Sequence, residues 1–416
     1  MALTRMKALG ANRRFLSLLS AETVSMLGDS LFDLAISWVI YAHTHSFLLS
    51  ALALVAEYLA PTFASLVGGI VVNTLNERNT LVIVNLLGFI SVSAVASVVI
   101  SGDGLPIYVY YALIFVISGL ASILQTARFS ILPQIVLGEE LTTSLGFLSS
   151  FKNAASVAGN AAAGFLLALV GIGGVLATDA LTFTLAASVI FIGIRHWVRP
   201  APVSTDNASR LTFLATLRSG LAVVFQRPAI RTFVGIGIMV NMGMFTTALW
   251  PGLVESRLHG TATDLGWIMV AGVVGSIAGG LIVGSLEGRF GVGYVASAGL
   301  LVYGAATGFI AIVPWLTLVT ALSFVSRVGL QIVSSSSTAL FQASVPTEHR
   351  ATVGGFLNAM GLIGLPVSLT IAGYLSNRFG PGDLFVASGL WFAVMAAIVF
   401  RTRSLRQRVA DMAHLA

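Results

Sequence analysis

The sequence has no cysteine and little charge. Its 416 residues include no Cys, which excludes a disulfide framework and a thiolate metal site. Charged residues make up 9%, against about 25% in a soluble globular domain. No glycine-rich phosphate loop is present, which argues against a chain that drives itself with ATP. The run Ser334 to Ser337 has no evident base beside it, so no serine nucleophile is read there. His43 and His45 lack further ligand-type neighbours for a metal. No enzyme, resident cofactor or metal centre is therefore expected.

What fills the chain is apolar. The hydrophobic share is 56% and the mean hydropathy +0.94. Windows of about 20 apolar residues predict twelve spans, beginning near Phe15, Leu48, Thr80, Ile107, Leu141, Gly174, Ala229, Thr263, Val292, Trp315, Thr352 and Asp383. The net charge of +6 comes almost entirely from arginine. It reads as topology-setting loop charge and not as a nucleic-acid footprint. Arg5, Lys7, Arg13 and Arg14 precede the first span, arginines from Arg195 to Arg231 crowd the central connection, and Arg401 to Arg408 end the chain. Both termini and the central connection are thus expected in the cytoplasm, with the chain a multi-pass protein of the inner (plasma) membrane. In the central connection Leu211, Leu214, Leu217, Leu221 and Phe225 recur at three- and four-residue spacing, which predicts an amphipathic helix in the headgroup region.

The most informative stretch is Ser20 to Tyr41. It is long enough to cross a bilayer and carries Glu22, Asp29 and Asp33. At about 100° per residue these spacings put all three acids within about 40° of one another. A charged carboxylate at the bilayer centre costs roughly 2.5–3.5 kcal/mol, so this face points at water, at a partner or at another acid, and not at lipid. The three acids are read as proton-coupling groups, Asp29 first because it lies nearest the midplane. Lys152 in the fifth span either pairs with one of them, holding it ionised, or leaves it free to titrate. Arg327, the one clear charge inside a span of the second half, either meets an anionic substrate or reaches toward water. Phe32, Met244 and Phe245 suit a pocket for a bulky apolar ligand. Glu57 and Asp179 are read as interface polar groups, and Trp38, Trp250, Trp267 and Trp315 as an interfacial belt.

The chain also repeats itself. Gly68 to Arg78 (GGIVVNTLNER) matches Gly279 to Arg289 (GGLIVGSLEGR) at an offset close to half its length. This predicts an all-α membrane protein of twelve transmembrane helices in two six-helix pseudo-symmetric bundles. Their expected extents are residues 1–194 and 229–416, joined by a cytoplasmic linker over 195–228, with a substrate site near the midplane.

On these residues the sequence resembles the major facilitator superfamily, and within it the bacterial macrolide and siderophore exporters of the drug/proton antiporter branch. Gly28-Asp29 resembles the Gly-Asp of that branch's first helix. Gly69 to Leu81 resembles the superfamily loop between helices two and three. Ala127-Arg128 with Leu132-Pro133 resembles the helix-four exit, and Val345-Pro346 through Gly355 the segment before helix eleven. Gly146, Gly159 and Gly164 resemble the antiporter motif of helix five. The resemblance implies gating roles for Gly69, Asn73, Glu77, Arg78, Arg128, Lys152, Gly159, Asn160 and Gly164. It implies a monomer in the lipid bilayer that exports drug-like or siderophore-like small molecules against protons by alternating access. Departures leave other readings open. Asn73 stands where the family carries an acid, Asn160 where it has proline, and Phe115 where many drug antiporters have arginine. An uncoupled facilitator or lipid translocator of the same fold, or a receptor-like binding protein, therefore remains in view.

Overall fold

The computed structural model describes residues 9–101, 106–136, 140–195, 228–344 and 364–402. These residues are helical almost throughout and contain no strand. Helix α1 is Arg13–Thr44, α2 Phe47–Leu75, α3 Glu77–Ile100 and α4 Ile107–Ile135. The stretch Leu141–Gly193 is two helices, because Gly171 inside it has φ 65° and ψ −178°; they are α5 (141–170) and α6 (172–193). Helix α7 starts as Pro228–Gly243 and continues irregularly to Arg257. Then come α8 Ala262–Phe290, α9 Val292–Ile310, α10 Leu316–Ser344, α11 (364–379) and α12 Pro381–Arg401. Among the described residues ten stretches are long and apolar enough to cross a membrane. Dividing one at Gly171 and adding α11 gives, among the described residues, the twelve long helices expected. The predicted linker helix falls among residues 196–227 and the segment Val345 to Gly355 within 345–363; both lie outside the described residues.

The chain divides into two compact units. One comprises Met1–His45, Leu52–Ser204 and Thr261–Trp267, the other Ser46–Ala51, Thr205–Gly260 and Ile268–Ala416. In the first, one end of the bundle closes around Phe15, Leu18, Leu81, Ile131, Leu132 and Ile190. In the second, Tyr303 and Phe392 meet edge to face at 4.6 Å among Val292, Leu300, Val333 and Met395. These side chains are buried against protein, while much of the remaining apolar surface is exposed, as suits helices whose outer faces meet lipid.

Single residues with positive φ join several neighbouring helices. Asn76 (φ 65°, ψ 162°) joins α2 to α3, Gly291 (φ 87°, ψ 151°) joins α8 to α9, and Gly380 (φ 90°, ψ 159°) joins α11 to α12. This backbone region is essentially reserved for glycine. Asn76 offsets part of the strain by capping α3, its Oδ1 accepting from Asn79 N at 2.9 Å. The joints also revise the repeat: α2 ends at Leu75, four residues short of where the matched α8 ends at Phe290. The second copy therefore runs about one turn further.

Helix α7 departs from regular geometry where ligand residues were expected. Met244–Leu249 is 3-10 helix and Leu253–Arg257 is π-helix. Such changes shift the backbone hydrogen-bond register, and α12 supplies donors at the shift. Ser388 Oγ donates to Gly243 O at 3.0 Å and Trp391 Nε1 to Met239 O at 2.9 Å. The same irregular turn corrects one expectation for the tryptophans. Trp267 and Trp315 are exposed, as belt residues would be, but Trp250 is buried and meets Phe385 edge-on at 5.2 Å.

Candidate functional site

Helix α1 is held among its neighbours by small residues. A Cβ at Gly159 of α5 would collide with Ser30 Cβ and the Leu27 carbonyl of α1, at 2.7 and 2.8 Å. A Cβ at Gly28 would collide with Thr182 Oγ1 and Asp179 Oδ1 of α6. Gly28 is thus required by the approach of α6, and that approach sets an acid beside the residue preceding Asp29. Helix α5 passes through Gly159-Asn160 without interruption, as expected where asparagine replaces proline. Asn160 Nδ2 donates to the Ser156 carbonyl at 2.8 Å.

The three acids of α1 have three different environments. Glu22 is buried at 6% exposure. Arg128 Nε of α4 lies 2.6 Å from its Oε1, off the axis a hydrogen bond needs, and Lys152 Nζ lies 3.9 Å from its Oε2. Glu22 is therefore neutralised by an ion pair. Asp29, about two turns on, is half-buried. It feels the charges of Lys152, Glu22 and Arg128, but makes no ion pair among the described residues. Asp33 is exposed, and the charges that act most on it are all carboxylates: Glu57 of α2, Asp29 and Asp179. Along α1 the surroundings thus pass from two cations to none. Among the described residues no three His, Asp or Glu side chains converge to hold a metal ion.

The residues matched to gating motifs are spread along the first unit. Glu77, at the start of α3, is buried at 1%. Its Oε1 accepts from Ser130 Oγ at 3.0 Å and Gln134 Nε2 at 3.3 Å, both on α4. Negative charge at a helix N-terminus gains about 0.3–1 kcal/mol. Arg78 turns the other way, donating to the Phe191 carbonyl of α6 at 3.0 Å with its guanidinium 4.8 Å from that ring's centroid. Adjacent residues of opposite charge thus fasten α3 to different neighbours. Gly69 is exposed with open space around it, and Asn73 lies in the last turns of α2. Gly164 O accepts from Thr263 Oγ1 at 2.9 Å. Phe115, where drug antiporters often place arginine, is partly exposed and packs near Phe63. The cation that α4 does supply is Arg128, farther along the helix.

The second unit sets hydroxyls and the cation of Arg327 inside its spans. Arg327 of α10 is half-buried and lies against Gly272 of α8, beside Ser323. Tyr303 of α9 is buried, and Arg327 and the hydroxyl groups of Thr246 and Thr307 act on its phenol. Thr246 belongs to the 3-10 turn of α7, so the irregular backbone brings a hydroxyl to Tyr303. Of the expected ligand residues, Met244 and Phe245 are partly buried on that turn, whereas Phe32 is packed inside protein at 4% exposure. Sequence reasoning passed over Tyr303 and Thr246. Their signal, a tyrosine and a threonine inside apolar spans, was present but weak.

Comparison with known proteins gives a consistent likeness. The model of the Major Facilitator Superfamily matches residues 18–254 and 231–412. The "Multidrug efflux pump Tap" of Mycolicibacterium fortuitum is 23% identical over 405 residues, covering 94% of this chain and 96% of the relative. "Macrolide efflux protein A" of Streptococcus pyogenes is 20% identical over 399 residues, covering 95% and 97%. Among solved structures, nucleoside transporter NupG superposes with a TM-score of 0.71 at 12% identity, over 94% of this chain and 100% of that one. A bacterial homologue of the iron transporter ferroportin, in its inward-facing state, gives 0.70 at 15% identity, over 94% and 99%.

Proposed function

Since the chain belongs to the major facilitator superfamily, a family of transporters and not of enzymes, we propose that it is a proton-driven exporter of amphipathic small molecules. The likeness to multidrug and macrolide efflux proteins supports export. One observation carries the coupling: of three acids on one face of α1, Glu22 is neutralised by Arg128 and Lys152, while Asp29 and Asp33 have no ion pair among the described residues. An unpaired carboxylate in a membrane span is costly when charged and cheap when protonated. Proton uptake at Asp29 and Asp33 therefore shifts the balance between conformations that differ in how much water reaches them. Glu22 takes part as the acid whose proton competes with Arg128.

In this reading protons enter from outside, the substrate leaves the cytoplasm, and both termini lie in the cytoplasm of a cell with the protein in its inner membrane. Met244, Phe245 and Arg327 contact the substrate. The residues of the α2–α3 joint, Arg128, Lys152 and the small residues of α5 govern opening. The test uses everted membrane vesicles, a fluorescent amphipathic dye and a macrolide. Uptake should collapse on adding a protonophore and should be lost in Asp29→Asn with binding retained. Export by Asp29→Asn that still follows pH as the wild type does would remove Asp29 from the mechanism.

The second reading, an uncoupled facilitator, is favoured by the absence of charge at Asn73 and Phe115. It predicts dye movement indifferent to the protonophore.

A further inference from the structure

The acid that the α1 account does not use is Asp179. It sits on α6 with 1% exposure, deeper than Asp29 or Asp33. Its hydrogen bonding is poor. Thr182 Oγ1 has a single proton to give; it lies 2.8 Å from the Asp179 backbone carbonyl and 3.3 Å from Oδ1. That hydrogen therefore serves mainly the backbone. Oδ2 is buried with no hydrogen-bond partner. The charges facing Asp179 are carboxylates on α1: Asp29 acts on it directly, and Asp33 shares its field. Helix α3 packs against the same helix where Gly88 meets Phe183, and its charged residues, Glu77 and Arg78, stand at its far beginning. Lys152 of α5 and Arg128 of α4 act on Asp29 and Glu22, but neither is among the main influences on Asp179.

An ionised carboxylate in this place would be desolvated, unpaired and set against a second acid, which is strongly unfavourable. A proton on Oδ2 removes most of that cost. Gly28 is what lets the two helices come so close, since any side chain there would strike Asp179 and Thr182.

We propose that Asp179 holds a proton on Oδ2 in this conformation and exchanges it with Asp29, so that the proton site of the first unit is a carboxyl pair across α1 and α6. The exchange is one proton passing from one carboxyl to the other, with no other bond changed. This deepens the proton-driven reading, and its physiological meaning rests on that reading, but its test does not require transport.

The experiment is infrared difference spectroscopy of the purified full chain in lipid vesicles across a pH series, following the protonated carboxyl band in wild type, Asp179→Asn and Asp29→Asn. The wild type should show a protonated carboxyl near neutral pH. Asp179→Asn should lose one carboxyl equivalent of it, and Asp29→Asn should keep it but shift its titration. Thr182→Val is the second variant, with thermal unfolding as its readout. It should change stability little if Asp179 is neutral, and lower it strongly if Asp179 is an anion leaning on that hydroxyl. A band unaltered by Asp179→Asn, or a marked loss of stability in Thr182→Val, would overturn the proposal. If the band behaves as expected while a protonophore leaves export untouched, the carboxyl pair stands and the pump reading fails. Export that depends on the gradient beside an Asp179-independent band gives the converse.

Discussion

The two units are copies in architecture and opposites in chemistry. Helices α1 to α6 carry Glu22, Asp29, Asp33, Glu57, Arg128, Lys152 and Asp179 inside their spans. Helices α7 to α12 carry Arg327 well inside α10, within electrostatic reach of Tyr303, and hold their acids Glu255, Asp264, Glu287 and Asp383 nearer helix ends. The first set brings carboxylates and cations within reach of one another, whereas in the second a fixed positive charge stands beside hydroxyls. The repeat fixes where helices go, and side chains then assign different work to each copy. Under the proposed mechanism, proton handling would fall to the first unit, and selection of the ligand by shape and polarity to the second.

The sharpest way to break this division is to neutralise one member of each set. Asp29→Asn should nearly abolish gradient-driven export in vesicles while dye binding persists, whereas Arg327→Gln should leave the pH response in place. Loss of the pH response in Arg327→Gln would end the division of labour. Next in size is Glu22→Gln, which leaves the Arg128 guanidinium without its carboxylate. Breaking a buried pair costs on the order of 3 kcal/mol, so the variant should melt earlier in detergent. Adding Arg128→Gln should restore much of the loss, because the uncompensated charge goes with it. Smaller is the effect of Arg327→Gln on affinity. If it meets an anionic or strongly polar group of the substrate, about 1.5 kcal/mol should be lost, roughly tenfold in the dissociation constant. A substrate-independent effect would assign Arg327 to structure.

The smallest effects test the joints. Asn76→Ala removes a cap and keeps the strained φ, and should cost about 1 kcal/mol more than Asn76→Gly. Gly291→Asn should cost about 1–2 kcal/mol, less any cap the new side chain forms. Thermal melts of the four proteins, wild type included, compare the two copies of one turn directly.

Much of the fold was legible in the sequence. The expected starts at Leu48, Ile107, Leu141, Thr263 and Val292 fall within a residue of α2, α4, α5, α8 and α9, because a helix crossing a bilayer must be apolar over a set length. The α5–α6 boundary was legible through the glycines at 171, 173 and 174, of which only Gly171 has positive φ. The one-turn overrun of α8 was not, since the match of Gly68 to Arg78 with Gly279 to Arg289 aligns residue types and says nothing of where a helix stops. At the site, the acids of α1 could be named in advance, but their partners could not. Glu22 and Arg128 are more than a hundred positions apart, and Asp179 looked like an interface residue until its Oδ2 proved to be buried without a donor.

What the sequence determined by itself is the solvent and the strip. A chain with so little charge and such apolar runs belongs in lipid, and acids spaced seven and four apart must share a helical face. Those are consequences of the hydrophobic effect and of the 3.6-residue turn, both local. Tertiary structure alone decided which acid is neutralised and which is left without an ion pair among the described residues. That depends on which side chains of α4, α5 and α6 reach α1, and on the glycines that let them come close.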